Sequence, residues 1–133
     1  MKLAHISSIL LLMVSLFTTA EEARFSDLSV TAAQALISKN RNNSDFYLLD
    51  VRTAQEFKQA HIERAQQLDF YHPAFAKQLA SLDTSKTYLV YCRSGARSAK
   101  TLALMKKLAF KKVYNMQGGI IDWHQQQLPL VSN

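Results

Sequence analysis

The chain has 133 residues, a formal net charge of +6, 48% hydrophobic residues and one cysteine, Cys92. That is one domain's worth of chain, large enough for a single core. A lone cysteine excludes an internal disulfide framework.

Residues 1–20 read as a cleaved export signal. Lys2 is the positive start, Ile6 to Phe17 is apolar apart from three serines, and Thr18-Thr19-Ala20 places small residues before a cut at Glu21. The twelve-residue apolar run is shorter than the roughly 20 residues that cross a bilayer, so no membrane span is expected. The expected product is a single domain, 21–133, periplasmic or secreted. Its charge is uneven. Residues 21–83 carry a net −2, and residues 84–133 a net +7. The lysines of the second half suit a solvated helix face, and the field of this half draws small anions toward the stretch around Cys92. No nucleic-acid motif accompanies them, so no nucleic-acid partner is expected. A monomer is expected.

Phe25-Ser26-Asp27-Leu28 reads as a short edge strand. Ser29 caps a helix from about Val30 to Ser38, with Ala33, Leu36 and Ile37 on one face. Asn40 to Asp45 is a polar break. Phe46 to Val51 is a continuous apolar run ending in an acid, Asp50, before Val51, as in a central strand covered on both sides. Thr53-Ala54-Gln55-Glu56 is a capping box that starts a helix from Ala54 to about Gln59, with Phe57 expected in the core. Ala65 to Leu68 is a short strand. Pro73 fits the first turn of a further helix that turns Phe75, Leu79 and Leu82 inward. After a turn at 83–86 comes the strand Thr87 to Tyr91. The next helix runs from Ser98 to Ala109, with Leu102, Met105, Leu108 and Ala109 as its apolar stripe. Lys111 to Met116 holds the last strand, Gln117-Gly118-Gly119 is a turn, and Ile120 to Gln127 is a terminal helix anchored by Trp123. Strands alternating with helices predict an α/β fold, a central mostly parallel sheet with helices on both faces.

Sites in such sheets lie at the carboxyl ends of strands. There stands Cys92-Arg93-Ser94-Gly95-Ala96-Arg97-Ser98, between a buried strand and a helix N-terminus. Thiolate is the nucleophilic form, and a helix N-terminus with nearby arginines favours it. Gly95 lets the backbone close into a ring of N–H groups able to hold a thiolate, a persulfide or an oxyanion. Cysteine phosphatases place one residue more between the cysteine and a phosphate-clamping arginine; here Arg97 follows after four. The shorter ring favours a single sulfur atom over a phosphate, leaving a phosphatase or arsenate reductase as the weaker alternative. A non-enzymatic persulfide carrier or redox adaptor is a third reading. Arg97 has two open roles: facing the substrate, or pairing with an acid such as Asp50. Ser98 is expected to cap the helix, with its hydroxyl also in reach of sulfur. Asp50 and Arg52 read as a supporting pair at a strand end, and His61 as a hydrogen-bonded turn residue. His72 and His124 lack ligand spacing, so no metal is expected, and no cofactor.

Four stretches resemble the single-domain rhodanese family of thiosulfate sulfurtransferases. Leu48-Leu49-Asp50-Val51-Arg52, leading into Glu56-Phe57, resembles its first signature. His61-Ile62-Glu63-Arg64-Ala65 is similar to its G-H-I-x-G-A stretch, with Ala60 and Arg64 where that pattern carries glycine. The Cys92 loop resembles its active-site loop, and Val113 to Gly119 with Trp123 its C-terminal signature. The resemblance implies a rhodanese-like fold and ping-pong sulfur transfer from thiosulfate. Cys92 would carry the persulfide, the N–H groups of Arg93 through Ser98 would hold it, and Arg93 would orient the sulfonate. Cyanide, a small thiol or a thioredoxin-like dithiol protein would accept the sulfur. Asp50 and Arg52 would be architectural.

Overall fold

The computed structural model describes residues 24–133; the expected leader, 1–20, lies outside them. Five strands form one all-parallel sheet: β1 (Phe25–Leu28), β2 (Phe46–Asp50), β3 (Gln66–Gln67), β4 (Thr87–Tyr91) and β5 (Lys112–Met116). Their order is β1-β5-β4-β2-β3, so β4 sits in the middle with Cys92 at its carboxyl end. The helices are α1 (Val30–Lys39), α2 (Ala54–Gln59), α3 (Phe75–Ala80), α4 (Ala96–Lys107) and α5 (Gly119–Gln125). The expected α/β architecture is the one observed.

Strand alternation splits the core in two. Leu49, Val51, Tyr88, Val90, Cys92 and Val113 face one side, where Phe75 and Leu79 of α3 and Met105 of α4 cover them. Leu48, Leu89, Tyr91 and Met116 face the other, under Val30 and Ala33 of α1 and Ile120 and Trp123 of α5. Both faces of β2 and β4 are therefore dry, which is why these strands read as unbroken apolar runs. Trp123 is buried in this second layer and donates its indole N–H to the Pro129 carbonyl at 3.0 Å.

Some local expectations are corrected. Phe57 does not enter the core; α2 buries no residue, and Phe57 stacks on the His61 ring at 3.7 Å. His61 holds the turn as expected, with Nδ1 bonded to the Phe57 carbonyl at 2.7 Å. Pro73 precedes α3 rather than entering its first turn, since Ala74 is the N-cap. Ala60 fits its place without glycine because its backbone is extended, at φ −167°. Arg64 does adopt a left-handed φ of 70°, and its guanidinium donates to the Arg41 carbonyl.

Ala109 is exposed, not part of the α4 stripe. It ends the helix in a left-handed turn at φ 63°. Its N–H donates to the Lys106 carbonyl at 3.2 Å, and that of Phe110 to Met105 at 3.1 Å, a Schellman closure with an alanine where glycine is favoured. Ala109→Gly removes the left-handed penalty of about 1–2 kcal/mol, offset in part by the greater freedom of an unfolded glycine. A net gain of about 0.5–1 kcal/mol is expected in urea unfolding.

Candidate active site

Cys92 follows the last residue of β4 and is 1% exposed. From there the chain turns through Ser94 and reaches Gly95 at φ 105°, the N-cap of α4. The left-handed step turns the backbone back over the sulfur. A Cβ at Gly95 would also press on the Gly118 nitrogen at 3.3 Å. The helix therefore begins at Ala96, two residues before the expected Ser98. Ser98 is not the cap. It sits in the first turn, fully buried, its hydroxyl 3.3 Å from Cys92 Sγ and 3.1 Å from the Gly95 carbonyl.

Two amides donate to Sγ, Gly95 at 3.1 Å and Ser98 at 3.4 Å. Burial pushes the thiol up. The Ser98 hydroxyl and the amides of Ser98, Gly95 and Ser94 outweigh it and hold the thiol below its ordinary value. The loop thus stabilises negative charge on sulfur with neutral donors at a helix N-terminus. The free sulfur draws on these amides rather than on every N–H from Arg93 through Ser98. Arg93, Ser94 and Ala96 are exposed along the loop.

Arg97 turns to the fold, and its partner is Glu56, not Asp50. Nη1 meets Oε1 at 2.9 Å and Nη2 meets Oε2 at 3.0 Å, while the guanidinium lies 5.4 Å from the exposed ring of Tyr71. The bidentate contact is the strongest geometry for this pair. Glu56 closes the α2 capping box as the third residue of the helix and also accepts from the Thr53 amide and hydroxyl at 3.2 Å each. One carboxylate thereby ties the start of α2 to the start of α4. Asp50 is unavailable to Arg97 because Arg52 holds it. Nε and Nη2 of Arg52 donate to the carboxylate at 3.0 and 2.7 Å, and Nη2 also reaches the Ala60 carbonyl at 2.6 Å.

Chiefly through its hydrogen bonds to Arg97, and against burial, Glu56 is pulled from 4.5 to about 2. A carboxyl lowered in the folded state stabilises above its unfolded value and loses that contribution as pH falls through its folded one. Glu56→Gln is therefore expected to cost about 1 kcal/mol at neutral pH. The gap to the wild type should close as pH falls from 4.5 toward about 2, read by urea unfolding across that window.

The loop is braced by the first turn of α5. The amides of Ile120 and Ile121 donate to the carbonyls of Cys92 at 2.9 Å and Arg93 at 3.1 Å. Glycine is required at 119: a Cβ there would lie 2.3 Å from the Arg93 oxygen and 2.7 Å from that of Cys92. Sequence reading placed this glycine turn but not its contact with the loop. The pairing of Glu56 with Arg97 was likewise missed; the one signal was that Glu56 closes a capping box. Beside the loop, Arg93 lines a cleft of about 450 Å³ between α2 and α5. Among the described residues no cluster of three or more histidines, cysteines or acids could hold a metal, and no helix is long and apolar enough to cross a membrane.

The chain resembles known proteins in sequence and in fold. A sulfurtransferase of Allochromatium vinosum is 31% identical over 100 residues, spanning 75% of this chain and 92% of that protein. Thiosulfate sulfurtransferase 18 of Arabidopsis thaliana is 33% identical over 129 residues, spanning 88% of this chain and 90% of its own length. The crystal structure of a rhodanese-related protein from Thermoplasma volcanium matches with a TM-score of 0.67 at 22% identity, covering 82% of this chain and all of that one. The profile of the rhodanese-like domain matches residues 29–126, the span from the cap of α1 to the end of α5 that carries the Cys92 loop and both of its braces, and the chain belongs to the rhodanese family.

Proposed function

We propose that this chain is an exported, monomeric sulfurtransferase that takes sulfane sulfur from thiosulfate and passes it to a thiophilic acceptor through a persulfide on Cys92. The observation that carries the reading is a buried sulfur that accepts from the Gly95 and Ser98 amides and lies 3.3 Å from the Ser98 hydroxyl, in a ring with four residues between Cys92 and Arg97. Arg97 lies on Glu56, which weighs against a phosphate clamp. The relatives named as sulfurtransferases support the same class.

In the first half-reaction the Cys92 thiolate attacks the outer sulfur of thiosulfate. The sulfur–sulfur bond of the donor breaks, sulfite leaves with the electron pair, and Cys92 holds the persulfide. The donors that face the thiolate favour the negative outer sulfur in the same way. Arg93, exposed at the loop, is the cation for the sulfonate end. In the second half-reaction a nucleophile attacks the outer sulfur and Cys92 leaves as thiolate, with no net oxidant consumed.

The test is the exported protein incubated with thiosulfate, then with cyanide. The peptide holding Cys92 should gain the mass of one sulfur atom, lose it to cyanide, and release thiocyanate. A reduced Cys92 that gains no sulfur overturns the reading. N-terminal sequencing of that protein should begin at Glu21.

A further inference from the structure

The amino ends of the strands carry a second concentration of charge, away from Cys92. Arg24 precedes β1, Lys111 and Lys112 stand at the start of β5, and Lys106 and Lys107 close α4, which runs back from the Cys92 loop. The register sets Lys112 beside Thr87 and Phe25 beside Val113, so these groups share one end of the sheet. Arg24, Lys106, Lys107 and Lys111 are exposed. A cleft of about 450 Å³ opens here, lined by Arg24, Lys106 and Lys111 together with Phe25 and Thr84. Arg24 and Lys106 stand over the Phe25 ring at 5.9 and 5.6 Å, which holds both cations beside the cleft. Lys106 and Lys107 complement the carbonyl end of α4, but Arg24, Lys111 and Lys112 lie on no helix, so the helix dipole accounts for only part of the patch. In the adjoining turns Asp45 is paired with Lys86, and Asp83 accepts from the Ser85 amide and hydroxyl. Glu21 and Glu22 precede Arg24 outside the described residues and are outnumbered by the patch.

The chain also enters the domain at this end. Six residues separate Phe17, the end of the leader's apolar run, from Arg24. A spacer of that length reaches about 20 Å at most, so a leader seated in a membrane holds this end of the sheet near the lipid. Resting on the export reading, we propose that the basic end docks on an anionic phospholipid surface. Lipid phosphates sit in the cleft among Arg24, Lys106 and Lys111, with Lys107 and Lys112 beside it. Cys92 follows the far end of β4, five residues or about 17 Å away, so the docked protein keeps its loop open to solvent. The docking involves no sulfur chemistry and stands or falls apart from it.

The experiment measures partition of the exported protein onto vesicles. Vesicles with about 30% phosphatidylglycerol in phosphatidylcholine should bind it at least about ten-fold more tightly than phosphatidylcholine alone, and about 0.5 M sodium chloride should release it. Each lysine at the surface contributes about five-fold, so Lys107→Gln with Lys111→Gln should weaken binding about 25-fold. Lys100→Gln removes an exposed charge from the half of α4 nearer the Cys92 loop, more than a Debye length from the lipid, and should change binding less than about two-fold. Urea unfolding of the variants, expected at the wild-type midpoint, shows that the fold is intact. Equal binding to the two kinds of vesicle, binding that survives the salt, or an equal loss in Lys100→Gln and in the lysine pair overturns the proposal. So does binding to polyglutamate as tight as to the vesicles, which makes this end a docking face for an acidic protein. All of these are read whether or not Cys92 takes sulfur. N-terminal sequencing reports on export separately.

Discussion

Asp50→Ala is expected to lower stability by about 3–5 kcal/mol, the cost of leaving a buried charge without its partner. Asp50 is wholly buried, and Arg52 is 4% exposed. The carboxylate accepts from the Arg52 backbone at 2.9 Å as well as from its Nε and Nη2. Alanine removes all of these acceptors at once. The guanidinium keeps only the Ala60 carbonyl as a close partner, with Glu56 O at 3.5 Å, and cannot shed its proton. Against a total stability of about 5–15 kcal/mol, such a loss leaves a marginal fold. The double change Asp50→Leu with Arg52→Leu should recover most of it, because a matched apolar pair carries no desolvation cost. Urea midpoints of the three variants decide the matter. A loss below about 1 kcal/mol in Asp50→Ala means that water reaches the pair.

This pair also shows why parts of the chain are legible in sequence and others are not. A carboxylate two residues before an arginine at the end of an apolar strand has a local partner, and local geometry follows from spacing. The same holds for the Thr53–Glu56 capping box and for the left-handed turns at Gly95 and Gly118. Cys92 stands out because an apolar strand, a glycine and a helical stretch follow in order, and those three fix a thiol at a helix N-terminus. The Arg97 contact is different in kind. Glu56 lies 41 residues away on another helix, and only the packing of α2 over the loop brings the two together. Asp50 was the more natural partner in sequence, being at a strand end, but its acceptors were already used. Ser98 misled for a related reason. Serine is a favoured N-cap, so it suggested a helix start. Here the backbone must turn over the sulfur first. Gly95 takes the cap without a side-chain bond, and the serine hydroxyl is left facing sulfur. The order of the strands had no local signature, nor did the cleft between α2 and α5.

Gly119→Ala is expected to damage the site through the backbone alone. The added methyl would meet the Arg93 oxygen at 2.3 Å, its carbonyl carbon at 2.5 Å and the Cys92 oxygen at 2.7 Å. None of these is a side chain that can rotate away. The residue also sits at φ 61°, so alanine adds left-handed strain of about 1–2 kcal/mol to an overpacking cost of about 1–3 kcal/mol. Relief requires the start of α5 to withdraw from the loop, which breaks the bonds from Ile120 and Ile121 to Cys92 and Arg93. The loop then loses the brace that aims its amides at Sγ. A stability loss of about 3 kcal/mol is expected. Sulfur loading from thiosulfate should slow about 100-fold, the usual result of shifting a reacting group by an ångström. Gly118→Ala is the matched control. It has the same left-handed strain, at φ 83°, but the atoms nearest its methyl are those of the Asp122 side chain, whose carboxylate can swing aside and leave a tight contact with Cβ at 3.0 Å. It should cost about 1 kcal/mol and leave loading within a few-fold of the wild type. Stopped mass measurements of the Cys92 peptide give the loading rates, and urea unfolding gives the stabilities. Equal loading by the two variants would mean that the α5 brace supports the fold without positioning the loop.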